Sequence, residues 1–352
     1  MSSATDKICI LGSGNWGTTA SRILAENVHK IPTIDKTINM YVYEEMVDGK
    51  KLTEIINTRH ENVKYLPGHK IPDNVVAIPD IVEAVKGATL LIIVTPHQFV
   101  EGMLKKIKDH IDTSRTRAIS LIKGITIGKE GTATISMLTK EYLGIDVTVL
   151  SGANIANEIA AGQFCESTIG YECKQSAHLW KQLFETPTFR LSCVDDVIGV
   201  EMCGALKNVI ALAAGFVDGL RMGNNTKAAI IRIGLVEMRK IAPYFSSTIK
   251  HETFLESCGV GDLITTCYGG RNRRLGEAFV ATGKSMETLE KEMLNGQKLQ
   301  GYSTAGELYQ FIKEKNIVEE FPLFVKVYQI CYEGADVNAL FSGLNVSLQN
   351  SI

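Results

Sequence analysis

Over the first part of the chain, short and almost unbroken apolar runs alternate with stretches of helical periodicity. Residues 8–11, 38–43, 90–94, 118–122 and 147–150 are such runs, and strands buried on both faces of a parallel sheet have that pattern. Between them, residues 99–111 carry Leu104, Ile107 and Ile111 at helical spacing, and residues 132–143 read as another helix. Residues 164–171 and 189–194 extend the strand series. The alternation predicts an α/β fold with a doubly wound sheet of Rossmann type. After Asp195-Asp196 the strand pattern stops, and residues 198–220, 226–245 and 304–315 all carry helical periodicity. The expected organisation is a sheet domain over residues 1–195 and an all-helical domain over 196–352, with ligands in a cleft between them.

Composition narrows this picture. A chain of 352 residues suits two domains, each able to bury its own core. The formal charge of −2 argues against nucleic acid as a partner, since phosphate backbones select a basic face. No apolar run is expected to reach the ~18–20 residues that span a bilayer. The first residues lack a signal-peptide core and an Arg-rich transit pattern, and the last four carry no peroxisomal or lipidation signal, which favours the cytoplasm. The eight cysteines form no CxxC pair and read as reduced core residues. The seven histidines show no metal-ligand spacing, so no metal site is expected.

The sharpest local signal is Gly12-Ser13-Gly14-Asn15-Trp16-Gly17. A G-x-G-x-x-G is weak by itself, but here it follows a buried strand directly and opens a helical stretch, residues 16–26. In that setting Gly12 makes the turn, Gly14 admits a pyrophosphate to the backbone, and Gly17 lets the helix approach the sheet. The helix N-terminus offers N–H groups to the phosphates. Glu44 and Glu45 end the next strand, later than the usual ~20 residues past the glycines, and residues 29–36 read as the insertion responsible. Two carboxylates and no arginine disfavour a 2′-phosphate, so NAD is preferred to NADP. Tyr43 and Phe99 suit the adenine or ribose, or equally the core.

The second half supplies candidate chemistry. Lys207 interrupts the apolar stretch 200–217. Buried, it would have a depressed pKa and exchange a proton with a carbinol or carbonyl oxygen; at a helix edge it would only snorkel. Gly204 leaves room one turn earlier, and Asn208 adds a polar group. Lys123 and Asn154 follow strands at the carboxyl edge, where open sheets bind ligands, although single polar residues there are often caps. Asp262 either caps a helix or pairs with a buried lysine, and Thr266 lies one turn on. Arg271 has the fork that grips phosphate or carboxylate, whereas Arg273 and Arg274 are expected in a solvated loop. The residues alone point to a nicotinamide dehydrogenase acting on a small anionic alcohol or ketone.

With these motifs the sequence resembles the NAD-dependent glycerol-3-phosphate dehydrogenases, in their cytosolic eukaryotic form. The resemblance runs through the glycine turn, His60-Glu61-Asn62-Val63-Lys64-Tyr65-Leu66-Pro67-Gly68-His69-Lys70, Pro96-His97-Gln98-Phe99, Leu121-Ile122-Lys123-Gly124 and Gly152-Ala153-Asn154-Ile155-Ala156. It continues in Cys203-Gly204-Ala205-Leu206-Lys207-Asn208, Thr253-Phe254-Leu255-Glu256-Ser257-Cys258-Gly259, Cys267-Tyr268-Gly269-Gly270-Arg271-Asn272-Arg273 and Asn295-Gly296-Gln297-Lys298-Leu299-Gln300-Gly301. It implies interconversion of dihydroxyacetone phosphate with NADH and sn-glycerol 3-phosphate with NAD. It implies Lys207 as general acid/base, Lys123 and Asn154 at the reacting oxygen, and Asp262 positioning Lys207. Arg271, Asn272 and Thr266 would hold the phosphate, while Phe99, Ala156, Arg271, Lys298 and Gln300 match cofactor contacts. Lys298 and Gln300 would belong to a closing loop, and a homodimer through the helical domain is implied. Tyr43 in place of the usual Phe, Gly261 in place of a common Ala, and Gly301-Tyr302-Ser303 depart from the pattern. A 3-hydroxyacyl-CoA or 6-phosphogluconate type of dehydrogenase and a non-catalytic NADH-sensing module are the competing readings.

Overall fold

In the computed structural model, residues 5–128, 131–294 and 298–344 are described. Asn295, Gly296 and Gln297 of the last motif, and the tail from residue 345, lie outside them. The chain forms two compact units, Met1–Ile122 with Ile135–Val197, and Lys123–Thr134 with Ile198–Ile352.

The first unit runs β1 (Asp6–Leu11), α1 (Asn15–Asn27), β2 (Ile34–Tyr41), α2 (Leu52–Arg59), β3 (Val75–Ile78), α3 (Ile81–Val85), β4 (Leu90–Ile93), α4 (Val100–Ile107) and β5 (Arg117–Ser120). It continues with α5 (Ile135–Leu143), β6 (Asp146–Ser151), α6 (Ala156–Ala160), β7 (Cys165–Gly170), α7 (Lys174–Phe184) and β8 (Phe189–Val194). The strands form one eight-stranded sheet in the order β8-β7-β6-β5-β4-β1-β2-β3. Every pairing is parallel except β6 with β7. Because side chains alternate across a strand, β1 serves two cores. Ile8 and Ile10 pack with Ala20 and Leu24 of α1 and Trp180 and Phe184 of α7. Cys9 and Leu11 pack with Ala84 of α3, Leu104 of α4 and Leu143 of α5. The order turns back between β1 and β4, so the carboxyl end of β1 opens at the topological switch point.

Several local expectations need correction. The stretch 29–36 is only partly an insertion, since β2 begins at Ile34. The strand Val75–Ile78 carried no sequence signal strong enough to single it out. Residues 132–134 belong to a hairpin strand, Gly131–Thr134, paired with Ile125–Gly128, and the helix starts only at Ile135. The cysteines are all reduced, but only Cys9, Cys203, Cys258 and Cys267 are buried, and Cys193 is exposed.

Besides the hairpin of Lys123–Thr134, the second unit holds α8 (Val197–Gly219, from Ile198 on) and α9 (Asn224–Phe245). A π-helical turn, Ser257–Gly261, then feeds α10 (Asp262–Gly269). Next come α11 (Arg271–Thr282), α12 (Met286–Leu294), α13 (Gln300–Glu314) and α14 (Pro322–Tyr332). A helix that is apolar all round must be enclosed by protein or lipid, and α8 is enclosed by protein. By length and composition it is apolar enough to cross a membrane, contrary to the expectation that no run reaches that length, but 94% of its most apolar stretch is buried in the fold. Its last two turns meet α11 through glycines. A Cβ on Gly215 would lie 2.2 Å from the Arg273 carbonyl oxygen, and one on Gly276 would lie 2.6 Å from that of Leu212. The hairpin from Ile125 to Thr134 lies against α13.

Candidate functional site

The glycine turn fits an extended anionic ligand. Gly12 has φ +132°, a conformation that a side chain disfavours. A Cβ on Gly17 would stand 2.1 Å from the Gly12 carbonyl oxygen, so only glycine lets α1 approach this closely. The Cβ direction of Gly14 is open, with no atom within 4 Å. The helix above it has no side-chain cap and no acidic residue in its first turn, leaving amide N–H groups and the positive end of the dipole for an anion. Behind the turn, the fully buried Asn62 donates to the Ser13 carbonyl at 2.8 Å and to Thr18 Oγ1 at 2.9 Å, and accepts from the Tyr65 N–H at 3.1 Å. Asn62 braces the loop, a role that its motif did not disclose.

Other first-unit candidates surround this brace. The Asn15 side chain donates to Asn157 Oδ1 at 2.6 Å, and its own buried Oδ1 has no hydrogen-bond partner among the described residues. Trp16 Nε1 donates to the Asn154 carbonyl at 3.0 Å, and the Asn154 amide donates to Ser167 Oγ at 2.8 Å. Ala156 opens α6 and accepts from Thr19 Oγ1 at 3.3 Å. Tyr43 and Phe99 are not core residues, being 72% and 59% exposed; flat aromatic faces left in solvent suit a ring ligand. Glu44 and Glu45 are already engaged. Glu44 accepts from Thr53 N and Oγ1, and Glu45 accepts from Lys64 Nζ and the Tyr65 hydroxyl. The strand-end carboxylates therefore brace the loop after β2, which ends at Tyr41. Together, the open Gly14, the uncapped helix and the exposed rings are a fitting cradle for a dinucleotide.

The charged centre of the second unit is assembled from three distant stretches. Asp262, at the first position of α10, accepts from Lys207 Nζ at 2.6 Å through one oxygen and from Lys123 Nζ at 2.8 Å through the other. Lys207 also donates to Thr266 Oγ1 at 2.8 Å. Burial pulls the Lys207 ammonium down to about 8, Asp262 opposes this, and neighbouring Lys123 reinforces it. For Asp262, burial pushes the carboxyl upward, but the two ammonium groups outweigh it and hold the pKa below the ordinary carboxylate range. Lys207 is thus not snorkelling: its side chain is 6% exposed, against 23% for Lys123. It has three N–H groups, and these bonds use two of them.

Beside this centre a row of amides begins. The Gly301 N–H donates to Asn272 Oδ1 at 2.8 Å, Asn272 Nδ2 donates to Asn208 Oδ1 at 2.8 Å, and Asn208 Nδ2 donates to the Gly204 carbonyl at 3.1 Å. The preceding residues are held as well. The Gln300 amide donates to the Lys123 carbonyl, the Leu299 N–H donates to Glu290 Oε1 at 2.7 Å, and Lys298 Nζ approaches Glu290 Oε2 at 3.1 Å. Glu290 is buried yet was not singled out from the sequence, because its i+9 partner lies beyond any helical spacing. Arg271 is exposed at the start of α11, whose first turn has no acidic residue. Arg273 departs from the solvated-loop expectation: it lies within α11 and bonds Asp218 at 3.0 Å and Glu277 at 2.7 Å. Arg274 is exposed on the same helix.

The structure therefore brings together Lys123, Lys207, Asp262 and Thr266 as one cluster and Asn208, Asn272 and Gly301 as another, both in the second unit. Asn154, Ala156, Tyr43 and Phe99 belong to the first unit with the glycine turn.

Comparison with known proteins places this geometry. The model of the NAD-dependent glycerol-3-phosphate dehydrogenase N-terminus matches residues 7–177, and that of the C-terminus matches residues 196–342. The chain is 57% identical over 340 residues to a glycerol-3-phosphate dehydrogenase 1-like protein of Danio rerio, covering 96% of this chain and 97% of that one. It is 55% identical over 335 residues to the cytoplasmic glycerol-3-phosphate dehydrogenase [NAD(+)] of Homo sapiens, covering 95% and 96%. The solved structure of glycerol-3-phosphate dehydrogenase GPD1 from Saccharomyces cerevisiae superposes with a TM-score of 0.91 at 43% identity, covering 97% and 99%. The structure of DsGPDH of Dunaliella salina gives a TM-score of 0.90 at 42% identity, covering 97% of this chain and 60% of that one. With a dinucleotide cradle in one unit and a lysine–aspartate centre in the other, the chain belongs to the NAD-dependent glycerol-3-phosphate dehydrogenase family.

Proposed function

We propose that the enzyme interconverts dihydroxyacetone phosphate and sn-glycerol 3-phosphate with Lys207 as the general acid and base. The observation that carries this reading is the buried Lys207, lowered to about 8 and held by Asp262 and Thr266 through two of its three N–H groups among the described residues. Bound NAD supplies the exchange of hydride at C2. In reduction, Lys207 Nζ gives a proton to the C2 oxygen as the carbonyl becomes a carbinol; in oxidation the neutral amine takes it back. A pKa near the working pH makes both directions accessible to one group. Asp262 keeps Nζ aimed and favours its charged form, while Thr266 accepts a second N–H and so limits its rotation.

Lys123 and Asn154 are proposed to polarise and orient the same oxygen. The phosphate is assigned to Arg271, Asn272 and Asn208, supported by the positive start of α11 and by amide N–H donors that the described bonds leave over. Thr266, which the family resemblance also places at the phosphate, already gives its hydroxyl oxygen to Lys207. For the cofactor, Gly12, Ser13, Gly14, Asn15, Trp16 and Gly17 would hold the pyrophosphate, and Tyr43, Phe99 and Ala156 would flank it. Arg271, Lys298 and Gln300 are its proposed contacts from the second unit. A homodimer through the helical unit and residence in the cytoplasm complete the proposal; the human relative is named cytoplasmic. The deciding experiment follows NADH absorbance on addition of dihydroxyacetone phosphate to purified protein. Oxidation that depends on that substrate is expected, and its absence across pH and salt would reject the assignment.

A further inference from the structure

We propose that Gly301 is a positioning residue for the substrate's anionic group: its backbone N–H fixes which way the amides of Asn272 and Asn208 face. The inference rests on the assignment of that pair to the phosphate. An asparagine amide has a donor end and an acceptor end of nearly equal shape, and only its partners decide which end points where. In this row both terminal partners are main-chain groups of fixed character. The Gly301 N–H can only donate, so Asn272 must turn Oδ1 toward it, at 2.8 Å. Asn272 Nδ2 then faces Asn208 Oδ1, also at 2.8 Å. The Asn208 Nδ2 is left for the Gly204 carbonyl at 3.1 Å, a group that can only accept.

The polarity of the row is therefore set at both ends and does not depend on protonation. Each Nδ2 carries two hydrogens, of which these bonds use one. What remains of both amides for a ligand includes an N–H donor, the character a phosphate selects. Were Asn272 to flip, its Nδ2 would oppose the Gly301 N–H and its Oδ1 would oppose Asn208 Oδ1. All three residues are buried, so those unmet groups would be costly.

The side chain at position 301 is excluded for the same purpose. A Cβ there would lie 2.5 Å from the Asn208 carbonyl oxygen and 2.5 Å from Asn272 Oδ1, displacing the acceptor that its own N–H holds. Glu290 fixes the approach from the other side, through the Leu299 N–H at 2.7 Å.

The test measures kcat and KM at saturating NADH for dihydroxyacetone phosphate and for unphosphorylated dihydroxyacetone. Gly301→Ala is expected to raise KM for the phosphorylated substrate about tenfold, the loss of a charge-assisted contact, and to leave kcat/KM for the unphosphorylated one unchanged. An equal loss on both substrates, or no change on either, overturns the proposal, since packing alone does not distinguish them. If Gly301→Ala does not fold, Glu290→Ala and Glu290→Gln decide. The alanine variant should show the same split, and glutamine, whose Oε1 still accepts from Leu299, should restore the wild-type KM; failure of either expectation overturns it. Asn272→Ala separates the two layers. If it leaves KM for dihydroxyacetone phosphate unchanged, the phosphate assignment fails and this inference with it. If it raises KM while Gly301→Ala does not, only this inference fails.

Discussion

Lys207 and Asp262 are 2.6 Å apart, yet the lysine's pKa falls rather than rises, because burial outweighs one carboxylate that a second lysine shares. That balance predicts opposite pH limbs for the two reaction directions. With Lys207 as the proposed general acid, ketone reduction requires its protonated form, so kcat/KM should fall as pH rises through about 8, while alcohol oxidation should rise through the same value. Parallel profiles in both directions would exclude Lys207 as the titrating group. Lys207→Ala is expected to lose about 10²–10⁴ in kcat while binding NADH normally in a fluorescence titration. Arg271→Ala should cost about 2–3 kcal/mol in kcat/KM for the phosphorylated substrate, read from initial rates. At this scale much was legible. A lone charge in an apolar helix marks itself, as Lys207 did, and so does a glycine turn behind a buried strand. Glu290 and Asn62 did not, because each acts on a main-chain group that only the folded chain brings to it. Arg273 was misjudged for the complementary reason: Asp218 neutralises it from 55 residues away.

Among the elements, α8 and α11 cross through Gly215 and Gly276, and the crossing carries Asn272 to Asn208. Gly215→Ala would force a methyl to 2.2 Å from the Arg273 carbonyl oxygen. A loss of about 1–3 kcal/mol in stability is expected from chemical denaturation. A second junction is set by Glu237 of α9, whose carboxylate accepts the first N–H groups of α14 from Leu323 at 2.8 Å and Phe324 at 3.0 Å. Burial pushes its pKa up to about 7, against the pull of those N–H groups and Lys240. The folded state therefore holds this proton more tightly than the unfolded chain does. The stability it contributes is complete below the unfolded value and is lost as pH rises through about 7. Glu237→Gln cannot ionise, so its Tm should decline less than the wild type's between about pH 5 and pH 8; equal declines would contradict the assignment. Element identity was largely legible from periodicity. The hairpin ending at Thr134 was not, because its partner strand and its seat on α13 leave no trace in a local repeat.

For the whole molecule, the doubly wound sheet and the helical stretch that follows it were legible in the alternation that breaks after residue 195, whereas the strand order, with the unsignalled Val75–Ile78 at its edge, was not. Light scattering on the purified enzyme should give twice the mass of the 352-residue chain if the proposed homodimer forms, and a single-chain mass would refute it. The path of the chain was less legible. The second unit takes Lys123–Thr134 out of the middle of the first, and with it one of the two lysines on Asp262.

That borrowed segment has a consequence for the order of synthesis. Lys123 is made 139 residues before Asp262, on the order of ten seconds earlier at ribosomal speeds of about 5–20 residues per second. Through that interval the amine and the hairpin beside it emerge without the helices they will join. The lysine–aspartate cluster therefore cannot form until Asp262 has been made, and a chain that stalls between residues 207 and 262 carries both lysines without the carboxylate they share.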